Sequence, residues 1–151
     1  MIEPLNFPKA EIKLKRRDEQ LYVWCVIRKK ELILTPEEWV RQHAIHYLIN
    51  ECNVPIGLIA SEMVVEYNGM KKRADIVVFD RENIPIMIVE CKATSVPISE
   101  RTLQQIAQYN FDLNVDYLFL TNGNQHVYCR VDRESGKLVY LKKLPNILSS
   151  N

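Results

Sequence analysis

The stretch RADIVVFDRENIPIMIVECK, residues 73–92, decides the fold. It divides into two strands, RADIVVFD and PIMIVECK, joined by the turn RENI at 81–84. The first strand alternates around Ala74, Ile76 and Val78, while Pro85 to Val89 is almost wholly apolar, the pattern of a central strand buried on both faces. With a four-residue loop, position 80 opposes 85, and the same register carries 75 opposite 90. Asp75 then lies beside Glu90. Side chains alternate along a strand, so Lys92 shares the face of Glu90 and Cys91 takes the other. The spacing therefore predicts two carboxylates and one ammonium converging in a central hairpin.

Opposed like charges destabilise a sheet, and desolvated carboxylates are costly unless paired or bound to a cation. A hard divalent ion resolves the repulsion. Mg²⁺, or Mn²⁺ in its place, takes oxygen ligands, keeps several waters and needs only one or two protein carboxylates. Asp75 and Glu90 suffice, with the backbone carbonyl of Cys91 available as a third ligand. Lys92 is a poor ligand, suited instead to hold or deprotonate a water and to stabilise the charge that builds on a phosphate. The competing reading is a buried Glu–Lys or Asp–Lys ion pair that only fixes register.

A chain of 151 residues is most economically one domain with a core of its own. Its 20 basic and 19 acidic residues leave a net charge of +1, so no global field draws it to nucleic acid or membrane. Such binding must rest on local patches: Lys13, Lys15, Arg16 and Arg17; Arg28, Lys29 and Lys30; Lys71, Lys72 and Arg73; Lys142 and Lys143. Each is either a solvated turn or a phosphate contact. Cys25, Cys52, Cys91 and Cys129 lack C-x-x-C spacing, and the histidines match no zinc pattern, which points to free thiols in a reducing compartment. MIEPLNFPKAEIK has no apolar signal core, and no run approaches the roughly 18 apolar residues that span a bilayer. A cytoplasmic protein with no membrane partner is expected.

Residues 11–34 read as strands with a turn near Arg17 and Asp18, forming an amino-terminal β extension on the main sheet. Thr35-Pro36-Glu37-Glu38 is a helix start: Thr as N-cap, Pro at the first helical position, and Glu38 placed to close a capping box. Glu38 has a second reading, as a carboxylate reaching the acidic cluster from a neighbouring helix. The helix carries Val40, Ala44, Tyr47 and Leu48 on one stripe and ends before Pro55. Leu58 to Tyr67 is a strand on which Glu62 either faces solvent or approaches Asp75 from the side, and Asn68-Gly69 turns it into the hairpin. After Lys92 a second helix starts at Ser99. Gln105 and Tyr109 share its second face, either as a polar surface stripe or flanking the carboxylates, where they can hydrogen-bond a phosphate or base edge. Strands follow at Asp116–Thr121, Gln125–Val131 and Lys137–Leu141, and the tail from Pro145 is expected to be poorly ordered. The sum is a mixed α/β sheet with helices on its faces.

Asp75, fourteen intervening residues and then Glu90-Cys91-Lys92 resemble the D…(D/E)xK signature of the PD-(D/E)xK nuclease superfamily. The order of helix, three strands, helix and strand around them is similar to that superfamily's restriction-endonuclease-like αβββαβ core, here about 35–131. Gln105-x-x-x-Tyr109 matches the QxxxY motif of its exonuclease-V-like branch. Arg28-Lys29-Lys30, TPEEWVRQ at 35–42, KKRADIVVFD at 71–80 and TNG at 121–123 resemble the amino-terminal nuclease domain of type I restriction enzyme R subunits. The resemblance implies that Asp75 and Glu90 bind a catalytic Mg²⁺ and that Lys92 assists the nucleophilic water. It also implies that Gln105 and Tyr109 contribute to nucleic-acid or active-site positioning and that Glu38 or Glu62 supplies an auxiliary acid; Lys72 and Arg73 of the basic patch are the further candidate nucleic-acid contacts. Ala74 stands where the motif has proline, and the sequence carries no P-loop, so a helicase or translocase, or a specificity subunit, would be a partner. One metal site cuts one strand at a time, so breaking a duplex calls for a homodimer or repeated nicking. The alternative is a catalytically silent module that binds DNA or docks such a partner.

Overall fold

The computed structural model describes residues 2–67 and 69–148, the side chains of 65, 67 and 109–113 excepted. In chain order its elements are β1 (Leu14–Arg17), β2 (Gln20–Cys25), β3 (Lys30–Ile33), α1 (Pro36–Asn50), a 3-10 turn (Ile56–Leu58), β4 (Ile59–Tyr67), β5 (Met70–Phe79), β6 (Pro85–Cys91), α2 (Glu100–Leu113), β7 (Tyr117–Thr121), β8 (His126–Val131) and β9 (Leu138–Leu141). From α1 to β7 this is the expected αβββαβ order. One sheet runs β4-β5-β6-β7-β8-β9, antiparallel throughout except for the parallel pair β6–β7, which α2 connects. Strand β6 is apolar because both its faces are covered. Val40, Ala44, Ile45 and Leu48 of α1 pack with Met87, Val89, Ile76 and Phe119 on one side. Leu103 and Ile106 of α2 pack with Ile88, Val77, Leu118 and Leu120 on the other. Each large aliphatic side chain so buried contributes roughly 1.5–3 kcal/mol of transfer free energy.

The central hairpin keeps the expected register where it matters: Ile76 opposes Val89, Val77 opposes Ile88 and Val78 opposes Met87. Near the turn it differs. Phe79 opposes Pro85 across a bulge, so the expected pairing of position 80 with 85 is not formed. Asp80 leaves the strand because its Oδ1 accepts the N–H groups of Glu82 and Ile84, both at 2.9 Å, an Asx turn that outcompetes a further ladder pair.

The amino-terminal strands form their own antiparallel sheet, β1-β2-β3. Its first turn is Asp18-Glu19, both at positive φ (48° and 66°) with Arg17 opposing Gln20, as a two-residue hairpin that follows strand twist requires. Val23 packs on Leu34 and Trp39, and Cys25 joins the main core. Asn68, half of the expected β4–β5 turn, lies outside the described residues.

Thr35 Oγ1 accepts the Glu38 N–H at 3.0 Å, with Pro36 at the first helical position as expected. The Glu38 side chain is turned inward and accepts from Arg41 and Gln42 instead of closing a capping box. At the β7–β8 turn, Asn122 Oδ1 accepts the Gln125 N–H at 2.7 Å, and Gly123 sits at φ 92°, where a Cβ would lie 2.9 Å from Leu5. The expectation of a poorly ordered tail from Pro145 fails at Ile147, which is buried in the main core beside Leu144, with Leu148 against it. Their apolar side chains cover sheet that would otherwise be wet. Residues 149–151 lie outside the described residues. Among the described residues, no helix is long and apolar enough to cross a membrane.

Candidate active site

Asp75 stands where the β5–β6 ladder ends. The last pair at this end is Ile76 with Val89, and beyond it the Cys91 N–H donates to Asp75 Oδ2 at 2.8 Å. One residue earlier on β6, Glu90 lies against Asp75, and a second charge beside that carboxylate is unfavourable. Burial, then the adjacent Asp75 charge, push Glu90 up to about 8, with Lys92 and Lys72 pulling the other way.

Glu90 opens onto a cleft of about 160 Å³ that is also lined by Lys72, Arg73, Lys92, Thr102, Gln105, Ile106 and Leu120. Strand alternation thus puts Glu90 and Lys92 in one cleft, while Cys91 is fully buried on the opposite face, its thiol pushed up by that burial. The Lys92 N–H donates to Thr121 O at 2.9 Å, which fixes this end of β6 against β7. Among the described residues the Lys92 ammonium forms no ion pair. Lys72 and Arg73 come from β5, and Gln105 and Thr102 come from α2, so the cleft is walled by a strand on one side and a helix on the other.

Behind the cleft lies an arginine that the sequence pattern did not reveal. Arg41 of α1 has an 8% exposed side chain, and its Nη1 donates to Glu38 Oε1 and to Glu62 Oε1, each at 2.8 Å. Its Nη2 lies 3.2 Å from Asp75 Oδ1. Burial works against this charge, and Glu38, Asp75 and Glu62 outweigh it, so the guanidinium is held more firmly protonated than usual. Arg28, from the β2–β3 connection, takes the other oxygen of Glu62 at 2.5 Å. Glu62 adopts φ 56°, between the pairs Ser61–Ile76 and Met63–Ala74, a left-handed conformation rare outside glycine. That local strain aims its carboxylate at both arginines, opposite Asp75. Glu37, one turn before Arg41, is raised by burial and by Asp75, against the pull of Arg41 and Lys92.

The candidate residues therefore fall into two joined groups. Glu90, Lys92, Lys72, Arg73 and Gln105 meet in the cleft. Glu38 and Glu62 meet Asp75 through Arg41. Tyr109 is on α2, and its side chain lies outside those described. Arg41 and Glu37 were missed, and Arg28, read only as part of a basic patch, pairs with Glu62 instead. The available signal was an arginine at i+3 and i+4 from two glutamates on the margin of an apolar stripe, which also fits a surface pair. Among the described residues, no group of three or more His, Cys, Asp or Glu side chains is disposed to hold a metal ion.

The family model described as Type I restriction enzyme R protein N terminus (HSDR_N) matches residues 36–145, well over half of the chain. Among solved structures, a fragment of a putative HsdR subunit of a type I restriction enzyme from Vibrio vulnificus YJ016 is 26% identical, with a TM-score of 0.42. That match covers 59% of this chain and 19% of the other, so the chain spans about a fifth of that relative. No curated protein matches.

Proposed function

We propose, from the premise that this chain belongs to the family of type I restriction enzyme R protein N termini, that it is a metal-dependent nuclease hydrolysing DNA phosphodiester bonds in restriction or DNA processing. The observation that carries the reading is Glu90 and Lys92 side by side in an open cleft, with Asp75 against Glu90. The donor chemistry fits Mg²⁺ or Mn²⁺: two neighbouring carboxyl groups, Asp75 and Glu90, offer the oxygen ligands that such an ion takes, and water can fill the rest. The Cys91 carbonyl is the third protein ligand of the proposal. When bound, the ion supplies Lewis-acid polarisation of the scissile phosphate and a lower pKa for the attacking water.

The protein's own groups do the remaining work. Lys92 holds the attacking water and neutralises charge building on the phosphate. Lys72 and Arg73 draw the sugar-phosphate chain along the cleft wall, and Gln105 with Tyr109 orients it from α2. Glu62 and Glu38 act through Arg41, which keeps Asp75 aimed at Glu90. The chain works as one domain, in the cytoplasm, beside a translocating or specificity partner.

One observation favours a second reading, a silent DNA-binding or docking module: both Asp75 oxygens are already engaged, by Arg41 and by the Cys91 N–H. A single assay separates the two. The protein is incubated with supercoiled, linear and single-stranded DNA in Mg²⁺ or Mn²⁺, beside Asp75→Ala and Lys92→Ala. The nuclease reading expects metal-dependent cleavage that both variants lose; cleavage retained by Asp75→Ala removes the mechanism, and DNA binding without cleavage supports the module.

A further inference from the structure

The amino-terminal sheet has one face in the core and one in solvent. Val23 and Cys25 of β2 are fully buried, so alternation turns Tyr22 and Trp24 outward. Strand pairing sets their neighbours. Lys15 opposes Tyr22, the Trp24 N–H donates to the Lys13 carbonyl at 3.0 Å, and Glu31 opposes Trp24. The Arg17 guanidinium lies 4.4 Å from the centre of the Tyr22 ring. Lys13, Leu14, Lys15, Tyr22, Trp24 and Glu31 line a groove of about 320 Å³ on this face. Its one carboxylate, Glu31, is shared by Arg17 at 2.6 Å and Lys15 at 3.9 Å, so positive charge remains in excess.

We propose that this face is a second nucleic-acid contact, which grips a single-stranded segment by stacking bases on Trp24 and Tyr22 and pairing phosphates with Lys13, Lys15 and Arg17. Charge complementarity selects the occupant. A patch of three cations in a chain of net charge +1 attracts a polyanion locally, where the molecule as a whole does not. The aromatic rings select the strand state. An indole 38% exposed amid lysines adds little to the core, and it can stack only on a base whose face is free, which a duplex withholds. The groove is also tied to the acidic cluster, since the connection leaving β2 carries Arg28 to Glu62. This contact goes beyond cleavage. It assigns the protein a hold on unpaired DNA that operates without metal.

The two tryptophans make the test direct, because Trp39 is buried and Trp24 is not. A thymidine oligonucleotide is titrated into the full chain in EDTA at low salt, with intrinsic fluorescence and anisotropy as readouts. Quenching of the exposed tryptophan is expected, with a matched duplex bound at least about tenfold more weakly. Trp24→Ala should remove the quench and weaken binding about tenfold, the loss of one base stack. Trp24→Phe should restore most of the affinity, which excludes a folding defect. Lys13→Ala with Lys15→Ala should lower the salt slope by roughly 1.4, at about 0.7 for each phosphate contact. Because the titration is run in EDTA, a protein that binds the oligonucleotide through Trp24 but cleaves no DNA in Mg²⁺ loses only the nuclease reading and leaves this result standing. Absence of quenching, unchanged affinity in Trp24→Ala, equal affinity for duplex, or equal affinity for phosphatidylserine vesicles would each overturn the assignment.

Discussion

Replacing Arg41 by Met tests whether the site is held together from behind. The substitution keeps most of the side-chain volume and removes one charge that serves Glu38, Glu62 and Asp75 at 2.8, 2.8 and 3.2 Å. Because the arginine is 8% exposed and Glu38 only 9%, solvent cannot take over as partner. Breaking a buried pair by deleting one member costs about 3–5 kcal/mol, since the other charge is left unpaired. Glu62 keeps Arg28, which argues for the lower half of that range. For a chain of this size the same loss lowers Tm by roughly 6–20 °C. Urea denaturation of parent and variant at neutral pH measures it. Mg²⁺ adds a second arm: with Asp75 released, an ion present at about 100 times its Kd should return roughly 2.7 kcal/mol. Arg41→Lys should fall between, because a single ammonium cannot bridge three carboxylates in the guanidinium geometry. A loss below about 1 kcal/mol, the value of a solvent-screened surface pair, would refute the reasoning.

Metal-free stability should decline as pH rises from about 4.5 toward about 8, because the folded protein keeps a Glu90 proton that the unfolded chain gives up. Glu90→Gln should flatten that decline by at most about 5 kcal/mol, and an unchanged pH profile in denaturant titrations would contradict the retained proton. Lys92→Ala should cut single-turnover cleavage by about 10²–10⁴-fold while leaving metal binding near the parental value, and matched rates would remove Lys92 from the chemistry. Ile88→Ala, in the fully buried centre of β6, should cost about 2–5 kcal/mol in the same urea experiment; a smaller loss would show that β6 is not the central strand of the core.

The hairpin was legible because two independent patterns agreed on it. Apolar alternation in β5 and a continuous apolar run in β6 gave the pairing, and that pairing brought Asp75 to Glu90. Its turn was less legible, since the Asp80 side chain competes with the ladder and a pairing rule carries no term for that competition. Arg41 left only an ambiguous signal. A polar residue one turn after two glutamates has a solvated reading from sequence, and only the approach of β4 and β5 to α1 buries it. The inward turn of Glu38 has the same origin, because Arg41 offers it a stronger partner than the helix end does. Glu62 was visible as a candidate, while its left-handed backbone and its two arginine partners, on elements far apart in sequence, leave no local pattern to read. Ile147 was not legible because Pro145, Asn146 and the two serines nearby suggest a solvated tail, and nothing local reveals the apolar surface it covers.

The central claim is that a divalent cation bound by Asp75 and Glu90 displaces the proton that burial and the Asp75 charge keep on Glu90. Calorimetric titration of Mg²⁺ at pH 7, repeated in buffers of different ionisation enthalpy, counts the protons released with each ion. The account predicts one ion bound with close to one proton released, and loss of that release in Glu90→Gln. Absence of binding heat, or binding with no proton released, would contradict it.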